Sequence, residues 1–493
     1  MTKRVVWGAL FGALTMLATG CGDECVDPFD CRDKGTPPAG QSYICNADNK
    51  CELRTIPTEP EEDAGTGGET DAGTGGGTDA GESDAGAVDA GTEDGGTDDA
   101  GTVDAGTDAG MNVAKGGACT ASSDCMAGLR CEAATCQALL IAVTGNDGGT
   151  RALVTAYDVP GMTSLSSDGG TSAYPRFGPG GTQVAFVQGE VTTADAELTV
   201  RPVPLTAAEP TVLPTGGTSR IRYMEWEPGN LIAWVRGSTG ISTIAPTGGT
   251  VTSVTNSGTF PDWAANGTDL AYSAAGTGIF VSTGGAAPAV LAGTPTTGEQ
   301  PHYNRTTSQL LFLANPEGTT VNFGGDATPV LKLYSLPVTG GGDPKLLAGT
   351  STRPVEGGSV DSYIANPNWS PDGSWVAYVR ANFLLIGNAA TLCGNAGAEL
   401  CGTDRGNDIY VQRVDASGAK VGEPVLFAEN ATLPSFSPDG RLVAYVLGGQ
   451  LVVRAIDPAT GQPAPTAITH PKDTYTVLTS EGDDYRPRWQ PRQ

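Results

Sequence analysis

NPNWSPDGSWVAYV, residues 366–379, carries the fold: an aromatic (Trp369), a Pro-Asp-Gly turn, and then a short strand of period two. Strands of that period bounded by Pro-Asp-Gly turns are a hairpin signature. The same unit returns at 433–446 as LPSFSPDGRLVAYV around Phe436. Weaker copies are YPRFGPGGTQVAFV (174–187, Phe177), MEWEPGNLIAWV (224–235, Trp226), FPDWAANGTDLAYS (260–273, Trp263) and QPHYNRTTSQLLFL (300–313, Tyr303). A seventh, YRPRWQP at 485–491 around Trp489, stops short. Successive aromatics are 49, 37, 40, 66, 67 and 53 residues apart. Those intervals suit four strands per repeat with loops taking up the excess, which is the sequence mark of a β-propeller.

The ends of the repeat region predict how the ring closes. Trp489 sits in an inner strand with nothing after it, while 139–168 (LLIAVTG, ALVTAYDV, SLSS) hold three strands and lack an inner one. Joining them makes one blade from both ends and removes the free edges that invite aggregation. The expectation is an all-β, seven-bladed propeller closed by pairing of N- and C-terminal strands, with six blades as the alternative if the copy at Tyr303 or Trp226 merges into a neighbour. The blade-start aromatics are expected to pack between blades as core. The repeat resembles the WD40-like Pro-Asp repeats of TolB-type propellers, most closely at 366–379 and 433–446, over about residues 139–493. TolB-type proteins carry an α/β domain ahead of the propeller and take part in an envelope complex. Here cysteine modules and a tether stand in that place, so the resemblance implies the fold and a binding role without naming a partner.

Charge separates the remaining segments. The 493 residues carry a formal net charge of −27, which argues against nucleic acid as a partner. Sixteen of the acids lie between Ile56 and Met111, where no Lys or Arg occurs and Asp-Ala-Gly appears eight times. With almost no apolar side chains, that stretch cannot repay the entropy of ordering and is expected to be a disordered tether. As a flexible coil it would span about 40 Å. Calcium binding by its Asp repeats would need an apolar position in each copy, which these lack.

Eleven cysteines fall into sets: Cys21 alone; Cys25, Cys31, Cys45 and Cys51; Cys119, Cys125, Cys131 and Cys136; and the pair Cys393 and Cys401. Apart from Cys21 the number is even and the clusters are short, which is disulfide usage in an oxidising compartment. Zinc pairs of C-x2-C type are missing. The two groups of four open with the same C-x5-C interval and are too small for a hydrophobic core, so cross-links must replace one. Each allows three connectivities. They read as partner-binding modules or as spacers capping the tether. The expected organisation is a leader at 1–20, a disulfide module at 21–55, the tether at 56–112, a second module at 113–137 and the propeller at 138–493.

The leader, MTKRVVWGALFGALTMLATGC, places Lys3 and Arg4 before an apolar run and ends in Leu17-Ala18-Thr19-Gly20-Cys21. A basic start, a short apolar stretch and small residues before the cut describe a secretory signal, and the run is too short to span a bilayer. The ending resembles the bacterial lipobox, with Ala18 where a large aliphatic residue is usual. That resemblance implies lipidation at Cys21, and acyl chains at about 0.8 kcal/mol per buried CH2 would hold the protein on a membrane. Gly22 follows the cysteine, so an outer-membrane address, on the periplasmic or surface face, is expected.

Catalytic chemistry is sparse. His302 lies inside a repeat and reads as inter-blade packing, His470 reads as an exposed loop residue, and no G-x-S-x-G elbow occurs. No catalytic, cofactor or metal residue is assigned, and blade-start residues Arg176, Asp262, Arg305 and Arg488 look mixed in charge. The candidate binding site is a long loop in the Trp369 blade, stapled by Cys393 and Cys401, that presents Phe383, Leu384, Leu385, Ile386 and Arg405. A second candidate is the loop at 315–328. The expected function is a non-enzymatic, lipid-anchored envelope protein whose propeller binds another envelope protein or other macromolecule. The alternatives are a lyase or hydrolase acting at the central channel, and a purely structural envelope component.

Overall fold

The computed structural model describes residues 41–45, 50–55 and 113–492, except 167–169, 190–195, 206–209, 216–220, 237–239, 324–325, 340, 350–352, 356–357, 389–399, 473–474 and 480–484. The leader, Cys21, Cys25, Cys31, the Asp-Ala-Gly tract and Cys393 therefore lie outside the described residues, as do the side chains of Cys45, Cys51 and Cys401. The chain divides into two compact units, Met1–Met111 and Asn112–Gln493. In the first, Gln41–Cys45 and Cys51–Thr55 form an antiparallel hairpin with Cys45 opposite Cys51. In the second, a propeller of seven blades follows a small disulfide module.

Each blade is an antiparallel meander of four strand positions. The inner strands, in chain order, are Ser172–Phe177, Ile221–Glu225, Thr259–Trp263, Glu299–Tyr303, Gly358–Trp369 and Ala431–Phe436, which begin blades 1 to 6. The seventh blade joins the termini as the sequence predicts. Its inner position is filled by Thr476–Val477 and Arg488–Trp489, which both pair with Leu140–Asn146. The ring holds because every blade buries the aromatic of the next. All seven aromatics are 2–8% exposed. Trp263 packs among Ala233 and Val235 of the preceding blade, and Trp369 among Leu311 and Leu313. Burying a large apolar side chain contributes about 1.5–3 kcal/mol, so the repeated aromatic is the principal inter-blade cement.

One feature of the inner strands falls just before the proline of the repeat, present in five of six as Pro175, Pro261, Pro301, Pro367 and Pro434. In blades 1 to 6 the residue three before the aromatic adopts a left-handed backbone: Tyr174, Tyr223, Phe260, Gln300, Asn366 and Leu433 have φ of 44–56°. Each lies at a bulge where the pairing register shifts. The extra residue lets the strand bend around the channel.

The second cysteine module is built from Leu129–Glu132 paired with Thr135–Ala138 and two disulfides, Cys119–Cys131 and Cys125–Cys136. It packs on the closing seam. Arg130, 1% exposed, donates to the Pro491 carbonyl (3.1 Å) and the Gly180 carbonyl (3.2 Å). The Gly128 N–H reaches Asp439 Oδ2 (2.9 Å), which also pairs with Arg492 (3.3 Å), and Arg492 donates to the Ser122 carbonyl. The module thus touches the turn of blade 1, the turn of blade 6 and the C-terminal residues together. His470 corrects its sequence reading: it ends the strand Pro463–His470 with 1% exposure, its Nε2 3.0 Å from the Tyr157 carbonyl oxygen. Burial lowers its pKa, against the hydrogen bond to Tyr157 and the charge of Asp158.

Candidate functional site: the central channel and the blade 5 extension

Where the inner strands end, the residue just before each aromatic turns toward the channel. In blade order this ring reads Arg176, Glu225, Asp262, His302, Asn368, Ser435 and Arg488. Six of the seven, all but Arg176, line a cavity of about 330 Å³, together with Glu227, Arg305 and Arg492. Glu225 anchors one side. Its Oε2 lies 2.9 Å from Arg488 and 3.6 Å from Arg176, so it pairs with the neighbouring blade and, past it, with the closing blade. Asp262 anchors the other, with Oδ1 3.4 Å from Arg305 and Oδ2 accepting the Tyr303 N–H at 2.6 Å.

Polar links also run between blades at backbone level. Asn368 accepts the Phe436 N–H (3.2 Å), the Trp369 indole donates to the His302 carbonyl (3.1 Å), and the Trp489 indole donates to the Ser435 carbonyl (3.0 Å). Deeper in the channel Arg486 donates to the Pro367 carbonyl (2.7 Å), with Nη2 3.4 Å from His302 Nε2. His302 is therefore a half-buried channel residue, rather than blade packing.

Burial dominates the electrostatics. It pushes the Asp262 carboxyl up to about 6, with Arg305 and the Tyr303 N–H pulling the other way. It raises Glu227 as well, again opposed by Arg305. The channel is thus polar and charged, while its carboxylates and guanidinium groups are matched to one another. Among the described residues, the one group of three metal-ligand side chains lying close together is Cys119, Cys125 and Cys136, and these are held in disulfides.

The expected binding loop takes a different form. In place of an irregular loop after Arg380, blade 5 continues as sheet: Trp375–Asn388 and Leu400–Val414 are 14 and 15 residues long and pair as far as Asn388 opposite Leu400. Extended pairing satisfies backbone groups that a loop would leave to water. Leu384, Leu385, Ile386 and Arg405 lie on these strands, with their side chains outside the described residues. Phe383 is not presented at all; it is fully buried and stacks with Tyr363 at 6.4 Å.

The other candidate loop joins the same sheet. Thr320–Phe323 and Asp326–Pro329 form a hairpin whose first strand runs parallel to blade 5, with Val321 opposite Leu400 and Asn322 opposite Cys401. Gly358–Trp369 and Arg353–Val355 complete it on the far side. The root is braced by Asp408, fully buried, which accepts from Asn382 Nδ2 and the Asn430 N–H, both at 3.1 Å. Sequence reasoning found the two loops separately. Their union depends on a parallel pairing between blades that no local pattern announces.

No protein-family model matches the sequence, and no curated protein matches it. Among solved structures the chain is similar to TolB from Acinetobacter baumannii, at 14% identity and a TM-score of 0.39 over 72% of this chain and 67% of that one. It is similar to a protein of Bacteroides fragilis NCTC 9343 described as a 6-phosphogluconolactonase (14%, TM-score 0.42, 71% and 97%). It is also similar to an oligogalacturonate lyase in complex with manganese (12%, TM-score 0.43, 70% and 88%). The seven-bladed architecture rests on the strand pairing of the chain itself.

Proposed function

We propose that this chain is a lipid-anchored cell-envelope protein, held at the outer membrane through Cys21, whose propeller is a non-enzymatic binding module for another envelope protein. The observation that carries this reading is the blade 5 extension, in which strands from two blades build one sheet on a rigid, closed ring. Recognition surfaces are commonly placed this way, as projections on a scaffold that does not move. Main-chain edges at Asp326–Pro329 and Arg353–Val355 end that sheet and offer a strand-addition mode. The leader and the lipobox-like ending support the address, and the acidic tract supplies reach from the bilayer.

The test crosslinks the protein in its native membranes, beside a variant with residues 388–404 shortened. The expected result is one dominant envelope protein captured by the full chain and lost from the variant. Equal capture by both would overturn docking through the extension. Labelled fatty acid should enter the wild type and not Cys21→Ser, which should leave the membrane fraction.

A second reading, an enzyme acting at the channel, draws on the two upward-shifted carboxylates, Asp262 and Glu227, that share one cavity. Turnover of a saccharide or lactone substrate that disappears in Asp262→Asn would favour it over the binding module.

A further inference from the structure

At the opposite end of the channel, where the inner strands begin, a cavity of about 390 Å³ opens between blades 4 and 5. That volume lies within the range of small-molecule sites. Its walls are apolar and amide in character: Leu313, Val379 and Tyr363 on one hand, Asn366 and Asn407 on the other. Among the described residues, a single ionisable acid, Glu299, lines it, and no Lys, Arg or His does.

Glu299 differs in this from the acids of the other mouth. Glu225 and Asp262 each pair with arginine, whereas the Glu299 carboxylate has no hydrogen-bond donor or base beside it among the described residues. Burial alone acts on it, and raises its pKa. Glu299 is half-buried, and partly withdrawing a carboxylate from water without a partner carries a cost that is recovered when a cation with N–H donors completes the site. The residue is fixed in place by the backbone: Glu299 pairs with Leu313, and the bulge at Gln300 begins immediately after it.

We propose that this cavity is a binding site for an alkylammonium group, with Glu299 as the counter-ion, the Asn366 and Asn407 amides as further polar contacts, and Leu313 and Val379 against the alkyl chain. The group can come from a free diamine or from a lysine side chain of a polypeptide. The site adjoins the root of the blade 5 sheet, which supplies Thr328, Pro329, Ala381 and Asn407 to its walls, but it does not rest on docking there.

Calorimetric titration of the full chain at about pH 8, where a free carboxylate is ionised and alkylamines are protonated, tests the proposal with four probes. These are cadaverine, lysine blocked at both its α-amine and its carboxyl, 1-pentanol and glutarate. Binding of either ammonium probe roughly tenfold or more tighter than pentanol and glutarate is expected, the scale of one hydrogen bond to a charged group. Preference for cadaverine assigns a free amine, and preference for blocked lysine assigns a polypeptide side chain. Glu299→Gln should abolish the preference, while Glu197→Gln, which removes the same charge from blade 1, should keep it. Equal binding of all four probes, tighter binding of glutarate, no binding at all, or an unchanged preference in Glu299→Gln would overturn the site.

Discussion

At the scale of single residues, the channel ring shows one backbone position put to seven different uses. The repeat brings Arg176, Glu225, Asp262, His302, Asn368, Ser435 and Arg488 to equivalent places, and their chemistry is then decided by their neighbours across the channel. Asp262 is the most informative. It is 5% exposed and its carboxyl is pushed up to about 6, chiefly by burial. An unfolded carboxyl titrates near about 4. Between those values the folded protein holds a proton that the unfolded chain has released. The stability Asp262 contributes as a neutral acid is therefore present at low pH and lost as pH rises through about 6. Asp262→Asn imitates the neutral acid at every pH. Denaturant titrations should show wild type losing stability relative to Asp262→Asn by on the order of 2 kcal/mol between about pH 4.5 and pH 7.5. A constant difference across that window would mean that Arg305 keeps the carboxylate ionised throughout.

At the scale of elements, the turn chemistry was legible and the strand geometry was not. The Ser-Pro-Asp-Gly turns are written openly: Asp372 accepts from Ser370 Oγ (2.5 Å) and Ser374 N–H (3.1 Å), and Asp439 accepts from Ser437 Oγ (2.5 Å) and Arg441 N–H (3.1 Å). Hydrogen bonds of this kind are local, so a local motif encodes them. The inner-strand bulge is imposed by the ring, which holds Tyr174, Tyr223, Phe260 and Leu433, beside Gln300 and Asn366, in a left-handed backbone that aromatic and aliphatic residues ordinarily avoid. For the same reason the residues from Ala381 onward read as a loop, although they continue as sheet. Their partners are other loops, remote in sequence. The bulge carries its own test at Asn366, φ 48°. Asn366→Val, β-branched in a left-handed site, should destabilise by about 1–2 kcal/mol or more, whereas Asn366→Gly should stay within about 0.5 kcal/mol of wild type. Comparable losses from both would show that the side chain, and not the backbone, is what this position needs.

At the scale of the whole molecule, a propeller is only as stable as its closure, and here the closing strand is short. Thr476–Val477 and Arg488–Trp489 give it four paired residues, against five to twelve in the other inner strands. Side chains and the cysteine module make up the deficit. Gln490 bridges the Leu140 N–H and the Gly181 carbonyl, and Trp489 bonds to blade 6. Arg130 and Arg492 tie residues 491 and 492 to the module, which also grips Asp439. The module therefore acts as a clasp on the seam, and its two disulfides keep a segment too small for its own core in the shape that grips. Removing the Cys125–Cys136 bridge with a Cys125→Ser/Cys136→Ser double substitution should cost about 2–4 kcal/mol, the usual range for a native disulfide. Its signature should be local. Hydrogen exchange ought to accelerate first at 488–492 and in Leu140–Asn146, while blades 2 to 4 remain protected, because the closing seam opens before blades that are continuous in sequence. Uniform acceleration around the ring would place the loss in the molecule as a whole, and the clasp would be only a passenger on a propeller that closes without it.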